Sequence, residues 1–322
     1  MKRSRFLCTV GAVAAAAAVP HPSLAADSDI TLTTATGNIY GTLTTPNTTD
    51  PVSIALIIAG SGPTDRNGNN PGIPGTNDAY KLLAAALYAK GIASVRYDKR
   101  GIGASAAAIK SEHDLRFDDY VADAAAWITM LRSDKRFTKV VVAGHSEGAL
   151  IGTIAAQQAQ AAALVTLEGA GRPAPVVLRE QLKKNLSPDE YAQTDAILTQ
   201  LEAGKTVPIP PAASQTIKAL FRESVQPYLI SWFKYDPAAE LGKVQSAINV
   251  VQGTADVQVT MLDATDLAKG NPHARLVVVD GMNHVLKHAP DTSTRAAILA
   301  GYTDPLLPVE PKVVDTIANS VN

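Results

Sequence analysis

Apolar positions in this chain occur at two spacings that alternate along its length. Short, nearly unbroken apolar runs recur at Val52 to Ala59, Ala93 to Tyr97, Lys139 to Ala143, Ala163 to Leu167, Ala247 to Val251 and Ala274 to Val279. Runs of this kind predict strands covered on both faces, as in a parallel sheet. Between them, Ala79 to Lys90, Phe117 to Leu131, the Ala-rich stretch Ala149 to Gln160 and a stretch near Met261 to Ala268 read as helices, and a last helix is expected near Val313 to Val321. The alternation predicts an α/β fold, a mostly parallel, doubly wound sheet with right-handed crossovers. Ahead of it, Ile30 to Thr34 and Asn38 to Thr44 predict a hairpin turned at Ala35-Thr36-Gly37.

The pattern changes between about Arg172 and Lys243. Amphipathic segments follow one another at Ala174 to Leu186, Asp189 to Leu201 and Ala213 to Phe221, interrupted by Pro208-Ile209-Pro210-Pro211, and no strand is indicated. The expected organisation is a core formed by residues 26–171 and 244–322, with residues 172–243 inserted as a helical lid over the sheet's active edge. A surface elaboration without contact to substrate is the alternative. Tyr228, Trp232, Phe233 and Tyr235 are read as core aromatics of this insertion.

Composition changes the picture mainly at the N-terminus. With 322 residues, 46% hydrophobic and 18% charged, the chain can build one large core plus an insertion. Its first residues, Met1-Lys2-Arg3-Ser4-Arg5, precede an apolar run from Phe6 to Val19 and then Ser23-Leu24-Ala25. A basic head, a short apolar centre and small residues at the end predict a secretory signal peptide over residues 1–25, and so a periplasmic or secreted protein. Cys8 is the only cysteine and leaves with that segment, which excludes disulfides and thiolate chemistry from the mature chain. Net charge moves from −1 to −4 on cleavage, so nothing favours nucleic acid or an anionic membrane surface, and no stable membrane insertion is expected.

The candidate chemistry starts at Gly144-His145-Ser146-Glu147-Gly148, placed between a predicted strand and a predicted helix. In that context G-x-S-x-G lifts a serine onto a strained turn at a sheet edge, with the next helix's N–H groups close to any developing oxyanion. A serine hydroxyl needs a base, and the base needs an orienting carboxylate. Asp256 follows the run Ala247 to Val251, and His284 follows Ala274 to Val279, so both are expected at the same sheet edge as Ser146. His288 competes as base; Glu168, at the end of the strand after the elbow, is the rival acid; Asp280 is read as a turn former. Oxyanion donors are expected from the backbone N–H of Glu147 and from Ser61 or Gly62, after the first parallel strand. No cofactor or metal is called for.

These residues resemble the α/β-hydrolase superfamily over nearly the whole mature chain. Ala59-Gly60-Ser61-Gly62-Pro63-Thr64-Asp65-Arg66, Asp98-Lys99-Arg100-Gly101-Ile102-Gly103 and Gly144-His145-Ser146-Glu147-Gly148 look like the exported serine aminopeptidase-like and dienelactone hydrolase-like proteins. The order Ser146, Asp256, His284 is the one that fold uses. The resemblance implies a serine hydrolase of carboxylic esters acting on a small-molecule ester. A serine aminopeptidase on short peptides is the second reading, its ammonium pocket supplied by Glu180, Glu190 or Glu223, and a silent ligand-binding scaffold is the third. Asp65, Arg66, Asp98 and Arg100 are expected to form a structural ion-pair network beneath the site.

Overall fold

The computed structural model describes residues 27–72 and 75–321; the predicted signal segment lies outside them. Eight strands form one sheet in the order β1-β2-β4-β3-β5-β6-β7-β8. They are β1 (Asp27–Thr34), β2 (Gly37–Thr44), β3 (Val52–Ile58), β4 (Ala93–Tyr97), β5 (Phe137–His145), β6 (Ala163–Leu167), β7 (Ala247–Gly253) and β8 (Ala274–Val279). The β1/β2 hairpin joins β4 antiparallel, and every pairing from β4 to β8 is parallel.

Helices α1 (Ala79–Ala89), α2 (Phe117–Ser133), α3 (Glu147–Ala159), α9 (Met261–Lys269) and α11 (Pro311–Asn319) cover the sheet, and α10 (Arg295–Ala300) precedes α11. Alternation along the central strands explains why both faces must be covered. Ile54, Leu56 and Ile58 pack into one apolar layer with Phe117, Trp127 and Ile154, while Ala55 and Ile57 pack into the other with Leu83, Leu87 and Val313. Neither layer leaves room for a polar strand face, which is the reason β3 from Ile54 and β5 from Val140 read as apolar runs. The chain steps from β3 outward to β4 and then back past β3 to β5, so the winding reverses at the carboxyl ends of β3 and β5. Ligand sites of open α/β sheets form at such a reversal, because the two connections diverge and leave a crevice.

Five helices and no strand lie between β6 and β7: α4 (Ala174–Lys183), α5 (Pro188–Glu202), α6 (Gln215–Phe221), α7 (Gln226–Trp232) and α8 (Pro237–Leu241). Of these, α7 and α8, with α10 later in the chain, were not predicted; at seven, five and six residues each is too short to show a periodicity. The aromatics of α7 pack as expected, Trp232 stacking on Phe117 at 6.2 Å, yet Tyr228 and Trp232 also line cavities at the sheet edge. Among the described residues no helix is long and apolar enough to cross a membrane.

The predicted four-residue ion network divides into parts. Asp98 takes Arg66 through two side-chain hydrogen bonds of 2.8 and 3.1 Å, whereas Arg100 turns to Asp123 at 2.5 and 2.9 Å. Asp65 pairs with neither arginine: its Oδ1 accepts the backbone N–H groups of Asn67 and Asn69 at 2.8 and 2.9 Å, and so holds the turn in its own loop. The expectation missed Asp123 because helical spacing alone does not say which buried face of α2 would carry a carboxylate.

Candidate active site

Strand β5 runs directly into Ser146, whose backbone sits at φ 55° and ψ −121°, and α3 begins at the next residue. That conformation costs a non-glycine residue on the order of 1–3 kcal/mol and persists only where the surroundings impose it. Here the Ser146 N–H donates to Leu167 of β6 at 2.8 Å, and the Ser146 carbonyl accepts from Ala149 at 2.9 Å. The flanking glycines allow the close crossing. A Cβ on Gly144 would lie 2.2 Å from the Gly148 carbonyl oxygen, and one on Gly148 would lie 2.4 Å from that of Ile58. Gly148→Ala is therefore expected to lower unfolding free energy by about 3 kcal/mol in a urea titration, since backbone on both sides must move. A loss under about 1 kcal/mol would mean that the elbow yields easily.

His284, in the loop after β8, donates from Nδ1 to Asp256 Oδ2 at 2.7 Å, and the Asp256 side chain is fully buried. Asp256 Oδ1 accepts the N–H groups of Gln258 and Val259 at 2.7 and 3.0 Å. Burial alone would raise the Asp256 pKa, but the His284 ring, the Glu168 side chain and the Gln258 N–H outweigh it and hold the carboxyl down at about 2. Ser146 and His284 line the same small cavity, together with Ser61 and Glu147. Gly62 lines the neighbouring, larger chamber instead, so of the two loop candidates it is Ser61 that shares the serine's cavity.

The rival residues have other partners. Glu168 is buried behind Asp256, at φ 50°, accepting the Gly253 N–H at 2.9 Å and the Gln252 amide. Burial, then the Asp256 charge, push its pKa well above the usual carboxylate range, which favours the neutral acid beside the Asp256 carboxylate. Side-chain atoms of Glu168, Asp256 and His284 all lie within 4.8 Å of one another, a spacing that could hold a metal ion, but here Asp256 is bonded to His284, and Glu168 to Gly253 and Gln252. His288 points away, its ring largely exposed and 2.9 Å from Glu310, and Asp280 accepts from Thr254 at 2.9 Å in the turn where it was expected.

Sequence reasoning overlooked two residues inside its own motifs. His145, fully buried, bonds through Nδ1 to the Tyr80 hydroxyl at 2.7 Å and through Nε2 to the His284 carbonyl at 2.6 Å. Burial, then the His284 ring, lower its pKa to about 3, so the ring is neutral: Nε2–H donates to the carbonyl and Nδ1 accepts from Tyr80. Tyr80 in turn accepts the Gly60 N–H at 3.1 Å, which ties the β3 loop, the elbow and the His284 loop into one chain. Lys99 is the other: its side chain is 1% exposed and its ammonium donates to Glu147 at 2.9 Å. Nothing in the linear pattern distinguishes a buried lysine from its exposed neighbours.

A family model described as "Serine aminopeptidase, S33" matches residues 71–201, a stretch that holds the elbow and stops before Asp256 and His284. Esterase EstD of Thermotoga maritima is 26% identical over 300 residues, covering 91% of this chain and 66% of that protein; the chain thus spans just under two thirds of that relative. Est1E from Butyrivibrio proteoclasticus, solved with ferulic acid bound, superposes with a TM-score of 0.56 at 15% identity, over 88% of this chain and 96% of its own. The α/β hydrolase GrgF from Penicillium sp. sh18 gives 0.56 at 15% identity, over 91% and 99%. The structural likenesses show that the chain has the α/β-hydrolase fold, and the sequence matches make it similar to serine aminopeptidase-like and esterase sequences.

Proposed function

We propose that this protein is a serine hydrolase of carboxylic esters. The observation that carries the reading is the buried His284–Asp256 hydrogen bond at 2.7 Å, with the imidazole on the cavity into which the strained turn lifts Ser146. With Nδ1–H held by Asp256, it is the Nε2 side of the imidazole that is left to take the proton of Ser146, which lines the same cavity. Ser146 Oγ attacks the acyl carbon, its proton passes to His284 and the carbonyl π pair becomes an oxyanion facing the Ser61 and Glu147 N–H groups. Collapse breaks the ester C–O bond, and His284 gives its proton to the departing alkoxide. Water then repeats the sequence on the acyl-enzyme.

Residues 172–243 act in this reading as the substrate-binding cap. A chamber of about 510 Å³ lies between α6, α7 and the loop after β4, walled mainly by apolar side chains such as Ile102, Ile109, Phe221, Leu229 and Trp232. Ser61, Glu147, Leu178 and Trp232 wall both this chamber and the serine's cavity, which supports an ester with an apolar acyl or alcohol group. The charges at the chamber are already paired: Lys99 with Glu147, Arg100 with Asp123 and Arg222 with Glu112.

The family description and the relative's name differ, one naming an aminopeptidase and the other an esterase. An aminopeptidase needs a carboxylate for the substrate ammonium. Glu180 is held by Arg172 at 2.6 Å, Glu190 closes the capping box of α5 with Ser187, and Glu223 is exposed; none of the three lines either cavity. An ammonium buried without a partner costs about 3 kcal/mol or more, so kcat/KM on p-nitrophenyl butyrate should exceed that on aminoacyl p-nitroanilides by about 100-fold or more. The reverse preference would overturn the ester reading. The basic, apolar N-terminal segment supports export, to be checked by N-terminal sequencing of the mature protein.

A further inference from the structure

Lys99 is a buried charge, beside the nucleophile's turn, that the hydrolytic mechanism above leaves unused. It lies two residues beyond β4, and the sheet order β4-β3-β5 means that its side chain crosses the end of β3 to reach the elbow. On the way its ammonium donates to the Gly60 carbonyl at 2.6 Å, and at the far side to Glu147 Oε2 at 2.9 Å. It also lies 4.7 Å over the centre of the Tyr120 ring. The Glu147 side chain is itself 2% exposed and takes a second bond, at 2.5 Å, on its other oxygen from the Tyr228 hydroxyl of α7.

The two acceptors have a common feature. The Gly60 carbonyl and the Ser61 N–H belong to one planar trans peptide, so the N–H points opposite to the oxygen. An ammonium fixed on that oxygen therefore fixes the direction of the Ser61 N–H, and by drawing electron density through the amide it makes that N–H a stronger donor. Glu147 is the residue whose own backbone N–H opens α3 beside Ser146. Among the described residues, neither the Ser61 nor the Glu147 N–H donates a hydrogen bond within the protein, and both residues line the cavity of Ser146 and His284. Gly60 lies against the nucleophile, a Cβ there falling 3.1 Å from Ser146 Cβ. One cation thus grips the two segments that carry the two free donors.

We propose that Lys99 is the positioning residue of the oxyanion hole, aligning and polarising the Gly60–Ser61 peptide while bracing Glu147, with Tyr228 linking the helical insertion to the same carboxylate. This rests on the serine-hydrolase reading. A lysine that only balanced the Glu147 charge would have no need of the Gly60 carbonyl, yet that is the shorter of its two contacts.

The test compares Lys99→Met with the double variant Lys99→Met/Glu147→Gln, which removes both charges and keeps a side-chain carbonyl for Tyr228. Each is assayed for p-nitrophenyl butyrate hydrolysis and for affinity toward an alkyl trifluoromethyl ketone. Addition of Ser146 Oγ to that ketone forms one C–O bond, places the proton on His284 and leaves an oxyanion in the hole without turnover. Deleting an oxyanion donor outright costs about 10²–10³ in kcat, so loosening one should cost roughly 10- to 100-fold. The expected result is that loss in kcat for both variants, KM within about 3-fold of wild type, and ketone affinity reduced by the same factor as kcat/KM. Recovery of wild-type kcat in the double variant would reduce Lys99 to charge balance and overturn the proposal, as would a loss confined to KM. Loss of native circular dichroism in both variants would also overturn it, by making Lys99 a folding residue. Wild-type protein that takes no fluorophosphonate at Ser146 would instead bring down the underlying hydrolase reading, and this arm separates the two failures.

Discussion

Ser146→Ala is expected to reduce kcat on p-nitrophenyl butyrate by about 10⁶-fold while leaving the circular dichroism spectrum unchanged. The size follows from what the hydroxyl does: without it no acyl-enzyme forms, and only the residual effect of binding and the oxyanion donors remains. The fold should tolerate the change because no side-chain partner of Ser146 Oγ is lost and Leu167 still holds the backbone N–H. Alanine removes one oxygen from a residue whose positive φ is imposed by its surroundings, so a small loss of stability at most is expected. Measured beside a fluorophosphonate probe, the variant should lose label and turnover together. Turnover at the wild-type rate would refute a covalent serine mechanism.

Replacing Asp256 by Asn should lower kcat by about 10⁴-fold, the effect of forcing the wrong histidine tautomer. Asp256 Oδ1 already receives the N–H groups of Gln258 and Val259, so an asparagine must keep its carbonyl oxygen there. Its NH₂ then faces His284 Nδ1, which must accept, and the ring proton moves to Nε2, where it blocks transfer from Ser146. Glu168→Gln supplies the contrast. With its pKa raised by burial and by the Asp256 charge, the Glu168 carboxyl is close in charge and shape to a glutamine amide, so this change should cost less than about 10-fold near neutral pH. If Glu168 were the orienting acid, the ranking of the two variants would invert. The comparison uses the same ester assay, with kcat and KM separated, and it bears on the acid that the linear sequence had left open between two strand ends.

Much of this protein was legible in the pattern of its residues, and for a definite reason. A strand between two helical layers has to be apolar on both faces, so β3 to β7 could be found from local composition, and the half-exposed edge strand β8 still showed as an apolar run; β4, β6 and β8 fell at Ala93–Tyr97, Ala163–Leu167 and Ala274–Val279 as expected. Strand ends in turn put Ser146, Asp256 and His284 on one edge, because parallel strands share a carboxyl side. The Ser146 turn could be read as well, since only glycine fits where a Cβ would lie 2.2 or 2.4 Å from a carbonyl oxygen.

Side-chain partnerships were decided by tertiary structure alone. That Asp256 faces His284 while Glu168 sits buried behind it depends on which carboxylate the loops after β7 and β8 enclose, and both acids occupy equivalent strand ends in the chain. His145, Lys99 and Asp123 gained their roles from burial and from neighbours 65, 48 and 23 residues away in sequence. Desolvation and long-range pairing leave no local periodicity. The elbow is therefore written in the sequence, whereas the groups that hold it in working geometry exist only once β3, β4 and β5 lie side by side.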